Sequence, residues 1–156
     1  MGNHEFPVRS LREYFTRRDD VIAAYLFGSV AKGRARPKSD VDVAVLFEAQ
    51  SDDVLARFAA RTDISSDLEG LLGRRVDVID LGDAPLSLIH QVLKSGEPVF
   101  ERNHTQRIEF EVNARRQYLD MLPHYEKYVR VMRRDVERGG FVGRRRGDPE
   151  PPEVPG

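Results

Sequence analysis

The stretch LFGSVAKGRARPKSDVDVAVLF limits the fold more than any other part of this 156-residue chain. Its first apolar run, residues 21–27, is rich in aliphatic and aromatic residues and predicts a short buried strand. From residue 41 to 47, valines alternate with other residues, which predicts a second strand with two different faces. Residues 28–38 between them are small, basic or proline and predict a loop. A basic, glycine-containing loop therefore lies between two short strands.

The remainder of the chain alternates between helical and extended patterns. Predicted helices cover residues 7–17, 51–73, 86–94 and 104–138, and predicted short strands cover residues 75–81 and 97–100. Ser51 is expected to cap the second helix and Gly73 to end it, with a break near residues 62–63. Pro123 should kink the last helix or start a new one. This alternation predicts an α/β or α+β fold built around a small sheet.

The length and composition predict one domain and a tail. Hydrophobic residues make up 40% of the chain and charged residues 33%, which is an ordinary globular composition. We expect residues 1–138 to form a single domain that includes the C-terminal helix. Residues 139–156 are rich in glycine, proline and charge and predict a disordered tail. The absence of cysteine excludes disulfides and thiolate metal sites.

The charge balance and the lack of long apolar segments exclude two classes of partner. The chain has 25 basic and 26 acidic residues and a formal net charge of −1, so no bulk field would hold it on a polyanion. We therefore expect no stable nucleic-acid binding. No apolar run is long enough to cross a bilayer, and the N-terminus has no apolar signal segment. These features predict a cytoplasmic protein without a membrane partner.

Gly28 and Ser29 follow the first predicted strand directly. A glycine at this point lets backbone N–H groups come close to a bound anion, and the serine adds a hydroxyl donor. The pair is therefore a candidate phosphate site. The alternative interpretation is a solvated turn between two strands, because short Gly-Ser turns are common.

Asp40 and Asp42 stand at the start of the second predicted strand. Residues two apart on a strand point to the same face, with Cα atoms roughly 6.6 Å apart. That spacing suits two divalent cations held roughly 3.5–4 Å from each other. Without a cation the two charges would repel, and aspartate is disfavoured in a strand. A chance Asp-x-Asp is the competing interpretation.

Asp77 is the candidate for a third carboxylate. It lies within the predicted strand at residues 75–81 and faces away from Val76 and Val78. If this strand pairs beside the second one, Asp77 joins Asp40 and Asp42 on one face. The alternative is an exposed aspartate on a one-sided strand. Asp80 is expected to cap the following turn.

Together these residues carry a resemblance to a known family. Gly28-Ser29, ten further residues and then Asp40-Val41-Asp42 resemble the signature of the DNA polymerase β-type nucleotidyltransferase superfamily. The chain is similar in detail to its compact MNT-type (minimal nucleotidyltransferase) group, which the later stretch RRVDVIDLGDAPLSLIHQVLKSGEPVFE also resembles. The similarity covers roughly residues 10 to 137. It implies a small mixed β-sheet flanked by helices, the polymerase β-like palm fold.

The resemblance also implies an activity, which is transfer of AMP from ATP to a hydroxyl with release of pyrophosphate. It implies that Asp40, Asp42 and Asp77 are catalytic and hold two Mg²⁺ ions, with Asp77 helping to deprotonate the acceptor. The residues that it implies for nucleotide binding are Gly28, Ser29, Lys32 and Ser39.

Stand-alone MNT proteins are often encoded beside small helical HEPN proteins, which are RNases. The resemblance therefore implies an antitoxin that transfers AMP to a tyrosine of a cognate HEPN toxin. Three alternatives remain open: a small-molecule acceptor such as an aminoglycoside, an RNA end, or neutralisation of the toxin by binding alone. The C-terminal helical region is a candidate partner surface, unless its apolar stripe simply covers the sheet.

Overall fold

The computed structural model of the protein describes residues 5–31, 33, 39–48 and 53–138, except for the side chains of residues 5 and 6. The elements in chain order are α1 (Glu5–Thr16), β1 (Val21–Phe27), α2 (Gly28–Ala31), β2 (Val41–Phe47), α3 (Val54–Leu72), β3 (Val76–Asp80), α4 (Leu86–Ser95), β4 (Glu97–Glu101) and α5 (His104–Glu137). The chain divides into two compact units, Met1–Arg115 and Arg116–Gly156, and the first contains all four strands.

The four strands form one mixed sheet in the order β3-β2-β1-β4. Strand β1 pairs antiparallel with both β2 and β4, and β2 pairs parallel with β3. A parallel pair needs a long crossover connection, which α3 provides. The predicted fold class, a small mixed sheet with flanking helices, is confirmed.

Helices cover both faces of the sheet because the strands are apolar on both sides. The valines of β2 and β3 that pack against α1 and α3 alternate with residues that face the other way. On that second face, α4 and the first turns of α5 pack on β1 and β2 through a separate cluster. Its fully or nearly fully buried members are Ile22, Ala23, Tyr25, Ala44, Leu46, Leu81, Ile89, Val92 and Ala114.

Two local predictions are wrong. The predicted loop after β1 begins instead with the single helical turn α2, because the side chain of Val30 packs in the core and holds this turn against it. The N-cap of α3 is Asp53, where Ser51 was expected. The Asp53 side chain accepts hydrogen bonds from the backbone N–H groups of Leu55 (3.0 Å) and Ala56 (3.2 Å). Ser51 itself lies outside the described residues.

Helix α3 runs without the expected break near residues 62–63. Thr62 stays within the helical pattern, and its hydroxyl donates to the carbonyl oxygen of Phe58 at 2.9 Å. Gly73 ends the helix in the left-handed conformation with φ of 65°, which confirms that prediction. Helix α5 continues through Pro123, so no new helix starts there. The predicted tail at 139–156 lies outside the described residues.

The described part of the second unit is the helical segment 116–138. Large apolar side chains are exposed along it, including Leu119 (63%), Tyr125 (57%) and Val136 (54%). A role for this segment as a partner surface stays a prediction. Within the part of the chain that the structure describes, no helix combines the length and the apolar character needed to cross a membrane.

Candidate active site

Three carboxylates come together at the start of β2 and β3. In the parallel pair, Asp42 lies directly opposite Asp77, and Asp40 precedes β2 by one residue. Asp40 and Asp77 are exposed, whereas Asp42 is partly buried. We call Asp40, Asp42 and Asp77 the carboxylate row. The parallel pairing sets residues 42 and 77 side by side on one face, which is the arrangement expected for these two aspartates.

Within the described part of the chain, no basic side chain compensates the charge of the carboxylate row. None of its three side chains makes an ion pair with another described residue. Burial raises the pKa of Asp42 above its ordinary value, and the negative charges of Asp77 and Asp40 raise it further. A cation bound between these groups would reverse that effect. The row is therefore a favourable environment for a positively charged ligand.

Gly28 meets Asp42 across the antiparallel pair. Phe27, the last residue of β1, lies opposite Asp42, so Gly28 is the first residue beyond it. Gly28 has a φ of 75°, and a Cβ atom there would overlap the carboxylate oxygen of Asp42. Only glycine permits this conformation and this close approach. Gly28 therefore brings the backbone of α2 against the carboxylate row.

Ser29 is exposed in α2, one residue after Gly28. The buried side chain of Val30 holds this turn against the core. The first N–H groups of a helical turn have no partner within it, so this turn can donate to an anion. Ser39 is partly buried and directly precedes Asp40. Lys32 lies outside the described residues, and its proposed role stays a prediction.

The predicted Mg²⁺ ions also remain a prediction. Among the described residues, no three or more histidine, aspartate or glutamate side chains converge closely enough to hold an ion as they stand. The carboxylate row nevertheless has the chemistry of such a site, because Mg²⁺ prefers carboxylate oxygens and usually keeps several waters and substrate phosphates as its other ligands. The residues present therefore fit a cation that arrives together with a triphosphate.

Asp80 does not belong to the carboxylate row. Its side chain accepts a hydrogen bond from the backbone N–H of Gly82 at 2.8 Å, and it is buried at the end of β3. This confirms the prediction that it caps the turn. Beside Asp77, an open polar groove of about 360 Å³ is lined by residues of α3 and of the edge strand β3. The side chains of Arg61, Ser65 and Glu69 are among those that line it.

Sequence reasoning did not single out Arg75, which precedes β3. The backbone N–H of Val41 donates to the Arg75 carbonyl oxygen at 2.9 Å, so the ladder of β2 and β3 extends to Arg75. Its position two residues before Asp77 is a period-two signal that was visible in the sequence. Arg75 is exposed beside the carboxylate row.

The carboxylate row and the turn formed by Gly28 and Ser29, which we call the glycine turn, both lie in a region that matches a known family. The model of the family described as "Polymerase beta, Nucleotidyltransferase" matches residues 9–105, and the chain belongs to that family. A curated relative, the protein adenylyltransferase MntA of Shewanella oneidensis, is 34% identical over 76 residues. That match covers 49% of this chain and 51% of the relative. The chain therefore spans about half the length of the curated relative that it matches.

Solved structures share the fold over most of the chain. A crystal structure described as a toxin–antitoxin with AMP-PNP matches with a TM-score of 0.63 and 25% identity, covering 83% of this chain and 98% of that one. A second structure contains tri-AMPylated Shewanella oneidensis HEPN toxin in complex with MNT antitoxin. It matches with a TM-score of 0.62 over the same shares, and at 22% identity this likeness is one of fold.

Proposed function

We propose that the protein transfers AMP from ATP to a tyrosine hydroxyl of a cognate HEPN RNase toxin. By this transfer it acts as the antitoxin of that toxin in the cytoplasm. The observation that carries the proposal is the carboxylate row, which faces the glycine turn at the same end of the sheet. Family membership supports nucleotidyl transfer as the reaction class. The similarity to MntA supports a protein as the acceptor.

In this proposal, Gly28 and Ser29 bind the triphosphate through backbone and hydroxyl donors, and Ser39 and Lys32 assist. Asp40, Asp42 and Asp77 would hold two Mg²⁺ ions. When bound, these ions lower the pKa of the acceptor hydroxyl and neutralise charge on the leaving pyrophosphate. The positive φ of Gly28 keeps the phosphate-binding turn within reach of Asp42.

The position of Asp77 supports a role for its carboxylate at the acceptor. It lies on β3, so Asp42 and then Gly28 follow it in order across the sheet. An acceptor hydroxyl on the β3 side would approach the phosphate from the side opposite the leaving group, which an in-line displacement requires. The exposed Asp77 carboxylate can accept the hydroxyl proton there.

The toxin–antitoxin role rests on similarity at two levels. The structure with AMP-PNP is that of a toxin–antitoxin. The match to it includes 98% of the matched chain, at 25% identity. The HEPN class of the partner follows from the resemblance of the GS-x10-D-x-D stretch to MNT proteins and agrees with the fold shared with the MNT antitoxin. The exposed apolar residues of the segment 116–138 are a candidate contact surface for this partner.

The test is transfer of label from α-labelled ATP. The purified protein, Mg²⁺ and the product of the neighbouring gene are incubated together, and the label is located by mass spectrometry. We expect AMP on a tyrosine of the neighbour. Absence of protein labelling together with efficient modification of an aminoglycoside or of an RNA end would move the function to that acceptor.

A cellular experiment separates catalysis from binding. Cells that express the toxin are given either the wild-type protein or the double variant Asp40→Ala, Asp42→Ala. We expect the double variant to lose protection while it still accumulates as a folded protein. Full protection by that variant would show that neutralisation needs binding alone.

A further inference from the structure

Arg75 occupies a fixed position beside the carboxylate row. Its carbonyl oxygen accepts the Val41 N–H at 2.9 Å, and Val41 pairs with Val76 in the ladder. That register sets Arg75 beside Asp40, just as it sets Asp77 beside Asp42. Residues two apart in an extended segment share a face, so Arg75 and Asp77 project towards the same side of the sheet.

The guanidinium of Arg75 is not used by the fold. Arg75 is exposed, and within the described part of the chain its side chain makes no hydrogen bond or ion pair. By contrast, Arg18, Arg57, Arg102 and Arg107 each bind carboxylate or carbonyl oxygens of their own chain. The backbone of Arg75 is held beside Asp40, and its guanidinium, which pairs with none of the described residues, remains available for an anionic ligand.

The strand order tells which part of a nucleotide Arg75 can reach. Across the sheet the order is β3, β2, β1, so Arg75 and Asp77 lie on one side of Asp40 and Asp42, and Gly28 and Ser29 lie on the other. In the proposed function the glycine turn binds the triphosphate, and we assign the β- and γ-phosphates to it. The phosphorus that is attacked, the α-phosphorus, must lie between that turn and the acceptor.

We propose that the Arg75 guanidinium binds a non-bridging oxygen of the ATP α-phosphate during transfer, which makes Arg75 a further catalytic residue of this site. This inference rests on the proposed function. In the step, the bond from the acceptor oxygen to the α-phosphorus forms as the bond to the pyrophosphate oxygen breaks. The hydroxyl proton passes to Asp77, and pyrophosphate leaves with the electron pair of the broken bond.

Arginine suits this task better than lysine. Negative charge on the non-bridging oxygens must be held in a fixed direction while both axial bonds are partial, and the planar guanidinium offers paired donors for that purpose. A donor that acts mainly in the transition state raises kcat and changes nucleotide affinity little. That signature separates Arg75 from a residue that only attracts ATP.

The test compares Arg75→Ala and Arg75→Lys with the matched control Arg17→Ala. Arg17 is exposed before the start of β1, at the opposite end of that strand from Gly28. We expect Arg75→Ala to lower kcat for AMP transfer by about 10²-fold, the size seen when one such donor is removed. Binding of a non-hydrolysable ATP analogue should change by less than about threefold. Arg75→Lys should keep part of the rate, and Arg17→Ala should match wild type.

Sulfur substitution at the α-phosphate gives a second readout that a structural role would not move. We expect the wild type to discriminate between the two diastereomers of ATPαS, since one of them sets sulfur against the guanidinium. Arg75→Ala should lose part of that discrimination. An Arg75→Ala variant with wild-type kcat and unchanged discrimination overturns the inference, and so does one whose only defect is weak nucleotide binding.

The two proposals fail in different ways. If the wild-type protein transfers AMP to no acceptor, the proposed function is wrong, and so is the inference on Arg75, which rests on it. If the wild type transfers AMP and Arg75→Ala does so equally well, only the inference on Arg75 is overturned. Thermal unfolding of each variant, followed by circular dichroism, identifies any loss that is due to misfolding.

Discussion

Two acidic clusters lie on the same face of the sheet, two residues apart along the ladder, and they differ in how their charges are compensated. Asp42 of the carboxylate row lies opposite Phe27, and two residues further along, Ala44 lies opposite Tyr25. The hydroxyl of Tyr25 donates to Glu111 at 2.7 Å. Arg107 then joins Glu111 to Glu101, with 2.7 Å to each. We call Tyr25, Glu101, Arg107 and Glu111 the Tyr25 network.

The difference lies in compensation. In the Tyr25 network, buried Glu111 has two donors, and its partner Arg107 is held by a second carboxylate. Burial and the nearby Glu111 raise the pKa of Tyr25, so its hydroxyl stays a donor at neutral pH. Among the described residues, none plays such a part for the carboxylate row. Under the proposed function, the uncompensated charge of the carboxylate row serves to bind a ligand, at a cost in stability.

The largest effect should come from the carboxylate row itself. Asp42→Asn should lower AMP transfer by at least about 10²-fold, because a central cation ligand is lost. The free energy of unfolding without Mg²⁺ should stay the same or rise, since like-charge repulsion is relieved. Transfer assays and urea unfolding measure the two. Asp63→Asn, on an exposed turn of α3, is the control, and equal activity of both variants would break the comparison.

Gly28 and Gly73 allow the effect of a steric contact to be distinguished from the effect of an unfavourable backbone conformation. Gly28 and Gly73 have nearly the same φ, 75° and 65°, but a Cβ meets Asp42 at the first and nothing within 4 Å at the second. Both alanine variants should lose about 1 kcal/mol of stability to the unfavourable φ. Only Gly28→Ala should also lose transfer activity, by roughly 10²-fold, because it displaces the Asp42 carboxylate. A matching loss in Gly73→Ala would contradict this role for Gly28.

The Tyr25 network should respond in the opposite sense, with a loss of stability and little change in chemistry. Tyr25→Phe removes a donor from buried Glu111 and should cost about 1–2 kcal/mol of unfolding free energy. Activity per folded molecule should remain close to wild type. Tyr125→Phe, at a tyrosine that is 57% exposed, is the control for the unfolding free energy alone. If Tyr25→Phe lowered kcat without destabilising the protein, the network would belong to the active site.

The smallest expected effect is a pH dependence of stability that is due to the Asp42 carboxyl. Its pKa is raised in the folded protein, so the neutral carboxyl favours folding below the unfolded-state pKa, and this contribution fades as pH rises through the folded-state pKa. In EDTA, Asp42→Asn should therefore gain thermal stability over wild type as pH rises from about 4 to 7. Added Mg²⁺ should stabilise the wild type more than the variant. A difference in Tm that is constant with pH would contradict the shift.

The chain itself determined the elements and most of the candidate site. Alternation in VDVAVLF and VDVID set the faces of β2 and β3, and the spacing of Gly28-Ser29 from Asp40 and Asp42 indicated the family to which the chain belongs. These features were readable because they are local: period-two alternation and motif spacing need no knowledge of distant contacts. The same local reasoning missed α2, because burial of Val30 depends on the packed core.

Only the tertiary structure decided which residues meet. Parallel pairing of β2 with β3 brings Asp77 opposite Asp42 and sets Arg75 beside Asp40, and either would change with a shift of one residue in register. The Tyr25 network joins residues that are 86 positions apart, which no pattern in the sequence announces. Register and long-range pairing are set by how the two faces of the sheet are buried. It is therefore the fold that pairs the acidic groups of the Tyr25 network with donors and leaves the carboxylate row open to a ligand.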